Sequence, residues 1–152
     1  KAERVLARFH AEESSRRSRL ICAEKEFLWD LERHRVRGKI DRIDQAPDGT
    51  YDLVDYKTGP GVPTTAQVAA DPQLRYYALG ASRALGVPVS TVTMDFVTTG
   101  TRISVPYDPS GEEALAADIA AAADSIAAGL FEADARYCPR CDFRVECPYA
   151  KI

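Results

Sequence analysis

Gly38-Lys39-Ile40-Asp41-Arg42-Ile43-Asp44 and, after a short turn, Asp52-Leu53-Val54-Asp55-Tyr56-Lys57-Thr58-Gly59 decide how this chain is read. Both stretches carry the apolar residues of a strand. Between them Ala46-Pro47-Asp48-Gly49-Thr50 has the chemistry of a hairpin turn: proline presets φ and glycine accepts φ > 0. Side chains alternate along a strand, so Asp55 and Lys57 point the same way. A hairpin lays them beside the strand that holds Asp41, and two carboxylates and an amine then converge. Carboxylate oxygens suit a hard cation such as Mg²⁺ or Mn²⁺. A cation there polarises a phosphoryl oxygen, and a neighbouring lysine orients or deprotonates a water. The plain alternative is surface pairing of Asp41 and Asp44 with Arg42 and other bases, each pair contributing about 0–1 kcal/mol. Against it stand Ile43, Leu53 and Val54: polar groups among apolar strand positions require a reason.

Working outward, residues 1 to 13 place Val5, Leu6 and Phe9 at helical spacing. Ile21–Leu31 and Val36–Ile43 read as strands around a turn at Glu32–His34, and Tyr51–Lys57 is a third strand ending at Thr58-Gly59-Pro60-Gly61. A helix is expected from Asp71 to Leu85, stopped by Gly86 and Pro88. Strands follow at Ser90–Val97 and Arg102–Val105, then an Ala-rich helix capped by Ser110 and ending near Gly129. This order predicts an α/β fold, a mixed sheet of about five strands flanked by helices, with a cysteine-rich C-terminal tail.

The 152 residues suit one compact domain, and 45% hydrophobic with 28% charged residues is ordinary for a globular protein. Asp118, Asp124 and Ser125 interrupt the most apolar run, so no membrane span or membrane partner is expected. No signal peptide is legible, and the expected location is cytoplasmic. The opening Lys-Ala-Glu-Arg reads as mid-helix, which predicts a longer parent. A net charge of −3 argues against a general nucleic-acid coat, although Arg16, Arg17 and Arg19, and Arg33, Arg35, Arg37, Lys39 and Arg42, form local basic runs.

Gly-Lys-Ile-Asp followed by Val-Asp-Tyr-Lys-Thr-Gly resembles the central signature of the PD-(D/E)XK nucleases, specifically the group of RecB, AddB and the CRISPR-adaptation nucleases. The resemblance runs from Glu24 to Cys147. It implies a restriction-endonuclease-like core and a Mg²⁺- or Mn²⁺-dependent, exonuclease-like deoxyribonuclease. The substrate implied is single-stranded DNA or unwound ends, and the setting a repair or recombination helicase–nuclease or a stand-alone exonuclease. Asp41 and Asp55 become the metal-binding carboxylates, the Tyr56 main-chain carbonyl a third ligand and Lys57 the catalytic lysine. Gln73 and Tyr77 are similar to the group's Gln-x-x-x-Tyr motif; at i, i+4 they share a helix face, placed to support the site or contact the DNA backbone. Glu24 stands where relatives carry a glutamate. Relatives also place a histidine on an N-terminal helix. His10 and His34 do not match that position, which puts the histidine upstream or makes it absent. A non-catalytic module that clamps DNA within a helicase–nuclease complex is the alternative function.

Cys138, Cys141 and Cys147 fall within ten residues, a spacing that reads as metal binding in a cytosolic protein. Zinc and a four-iron cluster both accept thiolates. The resemblance favours [4Fe-4S], with its fourth cysteine upstream of the nuclease core. Cys22, on an apolar strand, reads as a small core residue. The expected organisation is therefore a nuclease core over 1–137, lacking its N-terminal part, and a metal-binding tail over 138–152. A thiolate-metal interaction module on an unrelated α/β body would explain the tail alone.

Overall fold

The computed structural model describes residues 2–59, 61–131 and 134–150. Pro60 of the expected loop and Lys151 and Ile152 of the tail lie outside the described residues. The chain divides into two units, Lys1–Ala117 and Asp118–Ile152.

In the first unit a five-stranded mixed sheet runs in sequence order, β1 (Arg19–Leu31), β2 (His34–Gln45), β3 (Tyr51–Lys57), β4 (Val89–Phe96) and β5 (Thr101–Pro106). β1–β2, β2–β3 and β4–β5 are antiparallel, whereas β3 and β4 are parallel. Parallel neighbours need a crossover, and here it contains α2 (Thr65–Ala69) and α3 (Pro72–Leu85). An N-terminal helix, α1, spans Ala2–Ser15, and α4, Glu112–Ala127, follows β5. The expected mixed sheet with flanking helices is thus the observed architecture.

Local chemistry accounts for these boundaries. Thr64 and Gln67 form a reciprocal capping box at the start of α2, a short helix the apolar spacing did not announce. Asp71 caps α3 and Pro72 opens it; Gly86, at φ 65°, ends it in the left-handed region. Ser110 does not cap α4. It lies in a 3₁₀ turn, Pro109–Gly111, capped by Asp108, and α4 starts at Glu112. His34 opens β2 rather than belonging to the turn.

The core lies between the sheet and α3: Leu74, Ala78 and Ala81 pack with Phe27, Ile40, Ile43 and Leu53. Cys22 packs against this cluster, and burial pushes its thiol pKa up, as a core cysteine should behave. Phe27 is clamped between β2 and α3 because Gly38 and Gly80 both face its ring. A Cβ on Gly80 would sit 2.5 Å from Phe27 Cζ.

The opposite face of the sheet is charged. Arg102 bridges Asp52 (2.7 Å) and Asp95 (3.0 Å), and Arg16 of α1 reaches Asp95 at 3.0 Å. Arg42 joins Asp44 (2.7 Å) to Glu13 of α1. Phe9 packs edge-on against Tyr56, ring centroids 5.7 Å apart. Thus α1 is attached by ion pairs, a hydrogen bond from Arg8 Nη2 to the Val97 main-chain oxygen (2.6 Å) and the Phe9–Tyr56 contact.

In the second unit Ala135–Arg140 form a 3₁₀ segment that carries Cys138, and turns continue through Cys141 and Cys147. No helix among the described residues is long and apolar enough to cross a membrane.

Gly80→Ala gains about 1 kcal/mol of helix propensity but forces a methyl group into the Phe27 ring, an overpacking cost of about 1–3 kcal/mol. The expected result in urea titration is a net loss of stability, relieved when Phe27→Leu is added. Additive effects in that double variant would contradict the clamp.

Candidate active site

The β2–β3 ladder runs from Gln45↔Tyr51 to Arg42↔Val54 and stops there. Continued by one step, the register sets Asp41 opposite Asp55, where the strands no longer pair. The Tyr56 N–H is taken instead by the Asp41 carboxylate, N to Oδ2 2.9 Å. Tyr56 is therefore gripped twice, since its hydroxyl also accepts from Arg42 Nη1 at 3.0 Å. Burial opposes the charge of Arg42, but Asp44, Glu13 and Tyr56 together hold its pKa above the ordinary value.

Asp55 is 3% exposed. Lys57 Nζ lies 2.7 Å from its Oδ2, on the side predicted by strand alternation. Beyond this ion pair the buried oxygen has no hydrogen-bond partner among the described residues. Burial raises the pKa of Asp55; Lys57 opposes the shift, and the like charges of Asp41 and Asp71 add to it. A buried carboxylate with one ion pair and two anionic neighbours is what a cation would relieve.

The lysine is positioned from the helix side. Lys57 Nζ donates to Gln73 Oε1 at 2.7 Å, and Gln73 Nε2 donates to Tyr77 Oη at 3.1 Å. Tyr77 thereby fixes which end of the Gln73 amide faces the lysine. The i, i+4 spacing puts both on one face of α3, as expected. Asp71 accepts from the backbone N–H groups of Gln73 (2.9 Å) and Leu74 (3.0 Å), locking the first turn. A hollow of about 320 Å³, lined by Lys57, Gln67, Asp71, Met94 and Phe96 among others, opens beside this turn. Asp71 was not singled out from the sequence, although Asp-Pro before a helical pattern is a legible cap.

Glu24 lies on β1 between Ala23↔Arg42 and Lys25↔Ile40, level with Asp41. Its φ of 51° is left-handed, unusual for a non-glycine residue inside a strand. Buried positions on β2 shift phase here: Val36 and Ile40 are buried before this point, Ile43 after it. The side chain is exposed and pairs with Lys39. The pair with Glu24, then the charges of Glu26 and Asp41, raise the Lys39 pKa. His10 sits on an exposed face of α1.

The structure thus brings together Asp41, Asp55, Tyr56, Lys57, Gln73 and Tyr77, with Glu24 at the margin. Among the described residues no group of three or more His, Cys, Asp or Glu is arranged as a metal site. That holds for Cys138, Cys141 and Cys147, which are free, partly buried thiols. Asp41 and Asp55 nonetheless supply the oxygen donors a hard cation takes, and among the described residues Asp55 Oδ2 has no partner besides Lys57.

The sequence profile of the PD-(D/E)XK nuclease superfamily matches residues 1–148. The solved crystal structure of SSO0001 is similar in fold, with a TM-score of 0.58 and 18% identity, over 97% of this chain and 68% of that one. No curated protein sequence matches.

If burial and like charge strain Asp55, Asp55→Asn should raise the melting temperature in chelator, by a few degrees for about 1 kcal/mol. Mn²⁺ should raise the melting temperature of the wild type and not of the variant. A variant less stable in chelator would show that the Lys57 pair outweighs the burial cost.

Proposed function

Because the chain belongs to the PD-(D/E)XK nuclease superfamily, a group of metal-dependent nucleases, we propose that it is a Mg²⁺- or Mn²⁺-dependent deoxyribonuclease of the RecB/AddB type. It hydrolyses phosphodiester bonds in single-stranded DNA or unwound ends, as the exonuclease domain of a repair or recombination helicase–nuclease or as a stand-alone exonuclease. A helicase, in the same polypeptide or as a partner subunit, would supply the unwound strand.

One observation carries this reading: the buried Asp55 carboxylate, whose Oδ2 lies 2.7 Å from an ammonium that Gln73 also holds. Asp41, Asp55 and the Tyr56 carbonyl would hold the cation. When bound, it supplies charge stabilisation at the phosphoryl oxygens and a more acidic water. Lys57 holds the attacking water or a phosphate oxygen by a charge-assisted hydrogen bond. Its three donors let it keep Gln73 and Asp55 while turning one N–H to the substrate. Gln73 and Tyr77 set the angle of that third N–H. Water oxygen forms the new bond to phosphorus, the bond to the leaving sugar oxygen breaks, and the water's proton leaves as that oxygen is protonated.

We assign the cysteine tail to metal binding as well, with Cys138, Cys141 and Cys147 ligating a [4Fe-4S] cluster or zinc. Gathering three thiolates would couple metal binding to the folding of the tail.

Asp55→Asn and Lys57→Ala should each abolish cleavage of a single-stranded oligonucleotide in Mg²⁺ or Mn²⁺, with circular dichroism unchanged. Wild-type rates in either variant would refute the assignment, and DNA affinity without turnover in the wild type would point to a clamp. For the tail, anaerobically purified protein should carry stoichiometric iron with visible charge-transfer absorbance, or stoichiometric zinc without it. Metal content unaffected by Cys141→Ser would remove the tail from this role.

A further inference from the structure

Beyond its phase shift at Asp41, β2 presents a second pattern. Val36, Gly38 and Ile40 turn toward Phe27 and the core, so Arg35, Arg37 and Lys39 share the other face. These three cations repeat every two residues, about 6.6 Å apart along the strand. That is a step comparable to successive phosphates on an extended nucleic-acid strand. The last of them stands two residues before Asp41.

We propose that this row is a phosphate track that delivers a DNA single strand to the site built around Asp41, Asp55 and Lys57. The inference rests on the nuclease reading above and specifies its substrate path. The first support is what opposes the cations. Across the hairpin Arg35 faces Asp30, Lys39 faces Glu26, but Arg37 faces Leu28. Arg37 therefore stands opposite an apolar side chain that is 53% exposed. That pairing suits a strand whose phosphate meets the guanidinium while an unstacked base lies on Leu28; bases in a duplex are not free to do so.

The carboxylates on this face do not cancel the track. Arg35 meets Asp30 at 3.3 Å with side chains 69% and 80% exposed. Lys39 meets Glu24 with side chains 52% and 65% exposed. Exposed pairs contribute about 0–1 kcal/mol, so a phosphate exchanges for the carboxylate at little cost. A net charge of −3 also means that DNA affinity must come from a local array of this kind rather than from the overall field.

The track lies on the face of β2 turned away from α3, whereas Lys57 meets Gln73 on the α3 face. Beyond Arg42↔Val54 β2 has no β3 partner, and the DNA strand passes from one face to the other round that open edge. Tyr76 Oη donates to the Arg37 main-chain oxygen at 2.7 Å. Tyr76 belongs to α3, the helix that aims Gln73 at Lys57, so one element sets the height of both. A hollow of about 630 Å³, lined by Leu28, Arg35, Arg37, Lys39 and the Glu26 carboxylate opposite Lys39, among others, leaves room on this face for a nucleotide.

The test is equilibrium binding of a labelled single-stranded oligonucleotide in Ca²⁺ across a salt series, together with steady-state cleavage in Mg²⁺. For Arg37→Ala/Lys39→Ala the slope of log Kd against log salt should flatten by about 1.4, from two lost phosphate contacts on a single strand. KM should rise on the order of tenfold, by more than kcat falls. Arg37→Lys/Lys39→Arg should restore the slope, and Arg83→Ala, which removes one charge from the end of α3, should keep it. Duplex of the same sequence should be far less sensitive to the double alanine variant. A wild type that cuts, beside a double variant with unchanged slope and KM, overturns the track alone. A wild type that neither binds nor cuts DNA overturns the nuclease reading and the track with it.

Discussion

A carboxylate buried beside a single lysine, at the point where two strands stop pairing, is the constraint around which this domain is arranged. Asp55 cannot reach bulk water, and burial penalises its charge. Lys57 offsets part of that penalty, and only if the lysine is held in place. The hold comes through Gln73 and Tyr77, hence through the position of α3, hence through the core that seats α3 on β1 and β2. The glycine pair around Phe27 is the packing device that brings the helix close enough. Stability in the core and geometry at the site are in this sense the same property.

The break in the β2–β3 ladder performs a second task. Paired strands would consume the Tyr56 N–H within the sheet. Because the ladder ends at Arg42↔Val54, that N–H is free to orient Asp41, and Tyr56 becomes the hinge between the two carboxylates. Its hydroxyl and ring are anchored on the far face by Arg42 and Phe9. The charged network there, with Glu13 and Arg16 of α1 meeting Arg42, Asp95 and Arg102, costs desolvation that an apolar face would avoid. What it provides is a fixed seat for a helix with little apolar surface of its own, and through Tyr56 a fixed back wall for the site.

Much of this was legible in the sequence because it depends on short-range rules. Alternation placed Asp55 and Lys57 on one side of β3, the turn at Pro47–Gly49 paired β2 with β3, and i, i+4 spacing put Gln73 under Tyr77. What escaped were features set by non-local contacts. The left-handed Glu24 and the phase shift at Asp41 arise where a long hairpin must serve two packing partners, and no residue type there announces a bend, since the position is not glycine. The parallel pairing of β3 with β4 is a consequence of the α2–α3 crossover. Asp71 was legible as a cap but not as a neighbour of Asp55, because that proximity exists only once α3 has docked. Ser110 was misread as the cap because it lies inside a three-residue 3₁₀ turn, Pro109–Gly111, whose own cap, Asp108, has the same local chemistry.

The phase shift also explains how one strand can carry both an exposed row of cations and core residues. Had β2 kept strict alternation, Lys39 and Asp41 would share a face with Ile43, and either the charges would enter the core or Ile43 would leave it. Shifting the phase at Asp41 lets Arg35, Arg37 and Lys39 stay outside while Ile43 remains inside, and it leaves Asp41 at the boundary between the two regimes. Asp41 is half-buried at that boundary and is held by the Tyr56 N–H. That combination is what a residue must have to meet both a mobile cation and a rigid sheet.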